Sequence, residues 1–253
     1  VTDMYLPSLP AMADYFSASL PMVQMGLTTS MIGLALGQIF FGPLSDKYGR
    51  RPLLLVSMLL FIVSTLFCLF APDIYSFVTL RLIQGIAGAG GIVISRSVAI
   101  DKFSGKELAK MLAVIGAING VAPVAAPVIG GLLTGSVGWQ GIFMILLFIG
   151  ILLGIGCIRF KESLPAEKRS KTGVWATFRS FGIIVHNRRY MLYVFQLAFA
   201  QGILFAYIAS SPFIIQQHYG FSPFAFSICF AVNAVAIGVA AALSVKFRRT
   251  ENG

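Results

Sequence analysis

The segment at residues 42–54 reads GPLSDKYGRRPLL and lies between two long apolar stretches. One acid, Asp46, precedes three bases, Lys47, Arg50 and Arg51, so its charges are more organised than those of an ordinary connecting loop. Gly42, Pro43 and Gly49 permit a tight turn. We expect the Asp46 carboxylate to bond to a helix N-terminus, where the helix dipole favours an anion, and so to form a latch between conformations.

The composition around this segment is that of a membrane protein. Of the 253 residues, 57% are hydrophobic and 11% are charged, which is too little charge to cover the surface of a water-soluble domain. The net charge of +10 raises the alternative of a nucleic-acid-binding protein. The basic residues gather between apolar runs, however, as the positive-inside rule requires of a membrane protein. Composition therefore predicts an all-α membrane protein in a lipid bilayer and argues against nucleic acid as a partner.

A helix needs about 20 mostly apolar residues to cross a bilayer, and this length divides the chain into predicted spans. The first span is incomplete, and the predicted boundaries are residues 1–13, 22–41, 52–70, 74–100, 107–133, 139–158, 190–216 and 223–245. These spans predict three parts, which are a six-helix N-terminal half (1–160), a linker with an amphipathic surface helix (161–189) and the first two helices of a C-terminal half (190–253).

Alternate connectors between these spans differ sharply in charge. One set is basic and comprises residues 47–51, 102–110, 161–189 and 246–249. The other set, at residues 14–21, 71–73, 134–138 and 217–222, contains no Lys or Arg. The positive-inside rule therefore predicts that the basic connectors and the linker face the cytoplasm.

Two charges are predicted to lie inside the bilayer, where charges are costly and are functional candidates. Asp3 lies ten residues from the outer end of the first span, about 15 Å at helical rise. Arg81 lies seven residues into the fourth span, about 10 Å from the same surface. The two side chains can pair if their helices are neighbours. We interpret Asp3 as a protonation site modulated by Arg81; the alternative is a structural ion pair that only holds two helices together.

Other polar residues in the spans are candidate substrate contacts. If their helices line a central cavity, these candidates are Tyr5, Gln84, Asn119, Gln201, Tyr207 and Asn233. The alternative for each is a hydrogen bond between helices. The sequence contains no polar cluster suited to a sugar, which favours an apolar, drug-like ligand. It also shows no nucleophile–base pair, metal cluster or phosphate loop, so it predicts neither an enzyme nor a cofactor.

Three segments together resemble the major facilitator superfamily. Residues 42–54 match its loop signature, G-x-L-[AS]-D-[RK]-x-G-R-[RK]-x-x-L, at every defined position. Residues 81–85, RLIQG, resemble the fourth-span signature R-x-x-Q-G of drug/proton antiporters. Residues 126–131, APVIGG, resemble the fifth-span antiporter motif G-P-x-x-G-G, with Ala126 in place of the first glycine. That departure, with the opening DMYLPSLP at residues 3–10, is similar to the Bcr/CflA drug-resistance subfamily.

This resemblance implies twelve helices in two halves that work by alternating access, as a monomer in the bacterial inner membrane. It implies proton-coupled efflux of amphenicol- or bicyclomycin-like drugs, with no cofactor. The alternatives are proton-coupled uptake of a small nutrient and a truncated, non-transporting remnant, because the chain stops after the eighth predicted span.

The resemblance also implies roles for particular residues. Asp3 and Arg81 belong to the proton-coupling network, and the Asp46 loop closes against the N-terminal end of an eleventh helix. The implied gating residues are Gly42, Asp46, Gly49, Arg50 and Arg51, and the antiporter-motif residues are Pro123, Pro127, Gly130 and Gly131.

Overall fold

The computed structural model describes residues 4–170, 182, 185–233 and 235–236, without the side chains of residues 120, 123 and 124. Every regular element in this part of the chain is a helix. The α-helices are Leu9–Tyr15 (α1), Leu20–Tyr48 (α2), Arg50–Leu69 (α3), Ile74–Lys102 (α4), Gly105–Ile158 (α5), Arg188–Pro212 (α6) and Pro223–Asn233 (α7). A 3₁₀ turn, Leu6–Ser8, precedes α1, a second one covers Ala166–Lys168, and α6 continues as a π-helical stretch, Phe213–His218. The predicted amphipathic helix of the linker lies mostly outside the described residues.

Five stretches of the described chain are long and apolar enough to cross a bilayer. They are Leu20–Tyr48, Arg50–Leu69, Ile74–Lys102, Ala125–Ile158 and Arg188–His218. Each overlaps a predicted span. The predicted break between the fifth and sixth spans falls inside α5, where Gly138 has non-helical backbone angles (φ 65°, ψ −172°) and divides the helix into arms at 105–137 and 139–158. A positive φ of this kind favours glycine because glycine has no Cβ.

The turn between α2 and α3 is shorter than predicted. Gly42 and Pro43 lie inside α2, which runs to Tyr48, and the chain reverses at Gly49 (φ 100°, ψ 160°). The prediction of a turn from Gly42 onward was therefore wrong, because a single residue with positive φ is enough to join the two helices. A proline is tolerated inside a membrane helix when nearby groups bond to the freed backbone. The Ser45 hydroxyl donates to the Gly42 carbonyl at 2.9 Å, which is a different group from the Ile39 carbonyl that Pro43 frees.

The helices α2 and α4 pack through glycines. A Cβ on Gly33 would overlap the carbonyl oxygen of Leu82, and a Cβ on Gly85 would overlap that of Ser30. Small residues allow membrane helices to approach this closely. The close approach brings Ser30 of α2 against Arg81 of α4, and so builds one wall of the site described below.

The bundle has two ends that differ in charge. We call the connectors at residues 46–51, 101–107 and 159–170 the basic end, and those at 15–19, 70–73 and 219–222 the opposite end. Described contacts of α6 and α7 with earlier helices lie toward the opposite end. The Gln24 side chain donates to the Ala209 carbonyl at 2.9 Å, and the Ser227 hydroxyl donates to the Pro127 carbonyl at 2.9 Å. Side chains over residues 188–203, toward the basic end, are nearly all exposed.

Candidate functional site

The first candidate site surrounds Arg81, which is only 1% exposed although it carries a charge. Its guanidinium carbon lies 4.6 Å from the ring centroid of Tyr5 and 5.8 Å from that of Phe143. A cation within about 6 Å of an aromatic face is attracted by the ring quadrupole. Moving an ion out of water costs several kcal/mol. The two aromatic rings therefore stabilise the buried Arg81 guanidinium.

A network of hydrogen bonds that involves three helices holds Arg81 in place. Its Nη1 donates to the Gln84 side-chain oxygen, and its Nη2 donates to the Ser30 hydroxyl at 3.2 Å. The Gln84 amide nitrogen donates to the Thr65 hydroxyl at 2.5 Å, and that hydroxyl donates to the Phe61 carbonyl at 2.6 Å. Helices α2, α3 and α4 therefore each contribute a side chain to one buried polar network.

The start of the first helix lies beside this network. Tyr5 packs on Arg81 and on Phe77, with the two rings 6.4 Å apart. Asp3, the predicted partner of Arg81, lies outside the described residues, two positions before Tyr5. The Asp3–Arg81 pair therefore stays a prediction.

The predicted substrate contacts do not form one cluster. Tyr5 and Gln84 are 0% and 2% exposed, so both side chains are enclosed by protein as neighbours of Arg81 and are not open to a substrate path in this arrangement. Tyr207 is half-buried and stacks on Phe230, with ring centroids 5.6 Å apart.

The other three predicted contacts lie on separate helices. Asn119 on α5 and Gln201 on α6 are exposed, and Asn233 on α7 is half-buried. Within the described residues, no hydrogen bond joins these three amides to one another. A substrate role for them stays a prediction.

The predicted antiporter motif in α5 lies where helices converge. A Cβ on Gly130 would overlap the Met4 carbonyl oxygen, and a Cβ on Gly131 would overlap the Ser227 hydroxyl. Pro127 accepts the hydrogen bond from Ser227. The two glycines thus let the first helix and α7 approach adjacent positions of α5. The side chain of Pro123 lies outside the described residues.

The second candidate site is a charge cluster at the basic end. Arg50 is 6% exposed and binds two carboxylates, with Nη1–Oδ1 2.5 Å to Asp46 and Nε–Oδ2 2.9 Å to Asp101. The Ser163 hydroxyl also donates to Asp101, at 2.9 Å. The cluster therefore joins the ends of α2, α3 and α4 to the segment that follows α5.

The acid that caps a helix in this cluster is Glu162. The backbone N–H of Arg50 donates to one of its oxygens at 2.9 Å, and that of Arg51 donates to the other at 3.1 Å. Burial raises the pKa of the Glu162 carboxyl, but backbone N–H donors from Leu164, Arg50, Arg51 and Ser163 outweigh it and hold the pKa below its ordinary value. The first turn of α3 is thus satisfied by a side chain from beyond α5.

The predicted bond of Asp46 to the N-terminus of an eleventh helix stays a prediction, and among the described residues the acid at the start of α3 is Glu162. Asp46 lies in the last turn of α2, where the dipole does not favour an anion, and its side chain, 52% exposed, binds Arg50 four residues later. Its predicted partner, an eleventh helix, lies outside the described residues. Gly49 is required by space as well as by φ, since a Cβ there would lie 2.5 Å from Glu162 Oε2.

Sequence reasoning missed Glu162, Asp101, Ser163 and Thr65. Glu162 and Asp101 lie in predominantly basic connectors that also contain Glu167 and Glu107, so the sequence alone did not distinguish them. Thr65 lies in an uncharged run from Phe61 to Ala71, where nothing distinguishes it from a packing residue.

The family model of the Major Facilitator Superfamily matches residues 1–251. The chain belongs to the Major Facilitator Superfamily. It is 42% identical to the uncharacterized MFS-type transporter YdgK of Bacillus subtilis, over 93% of this chain and 59% of that protein. It is 30% identical to a bicyclomycin resistance protein homolog of Haemophilus influenzae, over 97% of this chain and 62% of that protein. The chain therefore spans about three fifths of the length of these relatives.

A solved structure shows the same fold. It is a bacterial homolog of the human lysosomal transporter Spinster, in an inward-facing and unoccupied conformation, with a TM-score of 0.72, 21% identity, and coverage of 97% of this chain and 59% of that one. The predicted superfamily and its all-α fold are thus confirmed. The family match, the transporter-named relative and the five stretches long enough to cross a bilayer together show that this chain belongs to a multi-pass membrane protein.

Proposed function

We propose that the protein containing this chain exports small amphipathic compounds, of the amphenicol or bicyclomycin kind, across the bacterial inner membrane in exchange for protons. The observation that carries the proposal is the cation of Arg81, 1% exposed and packed against Tyr5 at the start of the first helix. An opposite charge favours the ionised form of a nearby carboxylate. Asp3 therefore binds a proton when Arg81 withdraws or a substrate intervenes, and releases it when the pair re-forms.

The proposed cycle is alternating access between two halves. We place the basic end in the cytoplasm by the positive-inside rule, with residues 1–160 and 190–253 in different halves and 161–189 as the linker. The contacts of Gln24 with Ala209 and of Ser227 with Pro127 then join the halves on the outer side.

The drug class is proposed from two observations. A relative 30% identical to this chain is named a bicyclomycin resistance protein homolog. In addition, the sequence contains no polar cluster suited to a sugar, which favours a ligand with few polar groups.

The test uses everted membrane vesicles containing the protein made from the full reading frame that includes these residues. After respiration has acidified the vesicles, chloramphenicol or bicyclomycin is added and the pH gradient is followed by dye fluorescence. We expect each active drug to dissipate the gradient in wild type and not in Asp3→Asn. The matched control is Asp14→Asn, because Asp14 is an exposed carboxylate on the same first helix; it should behave as wild type.

Three results would count against this proposal. Absence of any drug response from protein shown to be inserted in the membrane would remove the exporter function. Movement of protons together with a small nutrient into the cell would favour proton-coupled uptake, which is the alternative function. An equal loss of response in Asp3→Asn and Asp14→Asn would remove the proton role of Asp3.

A further inference from the structure

We infer that Thr65 of α3 is a positioning residue for Arg81, acting through Gln84. The expected effect of Thr65 on proton transport rests on the proposed function, since it assumes that Arg81 controls proton coupling. Its structural part stands on the hydrogen-bond network alone.

The network has a single direction, and its anchor is a backbone carbonyl. The Thr65 hydroxyl has one proton, and it donates that proton to Phe61 O at 2.6 Å. The hydroxyl oxygen is then left as an acceptor, and the Gln84 amide nitrogen donates to it at 2.5 Å. The Gln84 amide oxygen must consequently face Arg81, whose Nη1 donates to it.

The opposite orientation of Gln84 is unfavourable at both ends. It would turn an NH₂ group toward the guanidinium, which has donors only. It would also set the amide oxygen against a hydroxyl whose proton is already given to Phe61. Arg81 and Thr65 therefore favour the same orientation of the Gln84 amide, and Thr65 holds the amide in it from α3.

Burial stabilises this orientation of the Gln84 amide. Thr65 is 0% exposed, Gln84 is 2% exposed and Arg81 is 1% exposed, so water does not replace a lost partner. An unsatisfied buried polar group is much less favourable than a paired one. Ser30 supports Arg81 from α2 at 3.2 Å, on another guanidinium nitrogen. The Gln84 oxygen thus holds one side of the guanidinium while the Tyr5 ring covers it at 4.6 Å.

Removal of the Thr65 hydroxyl should change how Arg81 meets the first helix. Without its anchor, the Gln84 oxygen is a weaker acceptor for Arg81. The guanidinium then depends more on the carboxylate that we propose as its partner, and that carboxylate holds its proton less tightly. We expect Thr65→Val to move the pH midpoint of drug-driven proton flux downward by about 0.5–1 pH unit.

The variants are chosen to separate positioning from packing. Thr65→Val keeps the shape and removes the hydroxyl, whereas Thr65→Ser keeps the hydroxyl and should restore wild-type behaviour. Thr79→Val is the matched control, because Thr79 is exposed and, among the described residues, bonds only to the carbonyl of Tyr75 in its own helix. If Thr65→Val does not fold, Thr65→Ala replaces it under the same criteria.

The first readout is the guanidinium itself. Protein labelled with ¹⁵N-arginine is examined by NMR in detergent, with the Arg81 signal assigned from Arg81→Lys. We expect the Arg81 signal to move in Thr65→Val and to keep its wild-type position in Thr65→Ser and Thr79→Val. An unchanged Arg81 signal in folded Thr65→Val would overturn the inference, whatever the transport result.

The second readout is the pH profile of drug-driven proton flux in vesicles. A lower midpoint in Thr65→Val, with wild-type profiles in Thr65→Ser and Thr79→Val, supports the inference. A moved NMR signal with an unchanged pH profile would overturn the link to proton coupling. Lack of flux in wild type would remove the proposed function, and the NMR result would still decide the positioning of Arg81.

Discussion

Replacing Glu162 by glutamine should destabilise the basic end of the bundle. In the folded protein its oxygens accept the backbone N–H groups of Arg50, Arg51, Ser163 and Leu164 at 2.9–3.1 Å. Glutamine keeps one acceptor oxygen but turns an NH₂ donor toward these N–H groups. It also removes the negative charge that the N-terminal dipole of α3 favours.

The expected size follows from these two losses. An N-terminal cap contributes about 0.5–2 kcal/mol, and a favourable charge at the helix end contributes about 0.3–1 kcal/mol. Glu162→Gln should therefore lower the free energy of unfolding by about 1–3 kcal/mol. For a domain of this size, that corresponds to a drop of about 2–12 °C in the unfolding temperature.

The effect should depend on pH in a defined direction. Burial raises the pKa of Glu162 and the N–H donors more than offset it, so the folded-state pKa lies below the ordinary value of 4.5. A depressed folded pKa gives stability that is present above pH 4.5 and is lost as the pH falls through the folded pKa. The difference between wild type and Glu162→Gln should thus be largest at neutral pH and shrink in acid.

The assay is thermal unfolding of the protein in detergent from pH 7 to about pH 3. The matched control is Glu167→Gln, since Glu167 is an exposed glutamate in the same segment; its unfolding temperature should match wild type. The reasoning is refuted if Glu162→Gln unfolds at the wild-type temperature at pH 7. A gap that stays constant into acid would refute the role of the ionised carboxylate.

Two further predictions concern the packing of α2 on α4 and the contact of Gln24 with Ala209 at the opposite end. Gly33→Ala should destabilise the protein by about 1–3 kcal/mol, because the new Cβ would overlap the Leu82 carbonyl. Gly91→Ala has open space beside it and should be neutral or stabilising. Equal unfolding temperatures for the two variants would contradict the close approach of α2 and α4. Gln24→Leu removes the hydrogen bond from Gln24 to the Ala209 carbonyl, which contributes about 1 kcal/mol. The population in which α2 and α6 are separated at the opposite end should therefore increase about fivefold. Spin-label distances between α2 and α6 that match wild type would contradict a stabilising role for this contact.

Much of the fold was predictable because lipid imposes simple rules. Helix length follows from bilayer thickness, and the predicted spans overlap the helices from α2 to α7. The break near Gly138 was also predicted, since residues 134–138 form an uncharged connector between two apolar runs. The turn after α2 was misjudged, because Gly42 and Pro43 are turn formers in water yet lie within a helix here.

The candidate site was predictable only in part. Arg81 stood out as a charge in an apolar run, and the loop signature identified Arg50 and Asp46. The cap by Glu162 was not predicted, because which carboxylate meets the first turn of α3 depends on contacts across 112 residues of sequence. Local charge patterns contain no information on such a separation.

The sequence by itself determined the class of this protein: apolar runs of spanning length, basic alternate connectors and the GPLSDKYGRRPLL segment specify a membrane helix bundle of the Major Facilitator Superfamily. Tertiary structure alone decided the partners of the buried groups. Glycine contacts between α2 and α4 set how near Ser30 comes to Arg81, and the packing of α3 on α4 brings Thr65 to Gln84. The physical reason is that hydrophobicity and charge act residue by residue, whereas a buried hydrogen bond depends on the relative position of two helices.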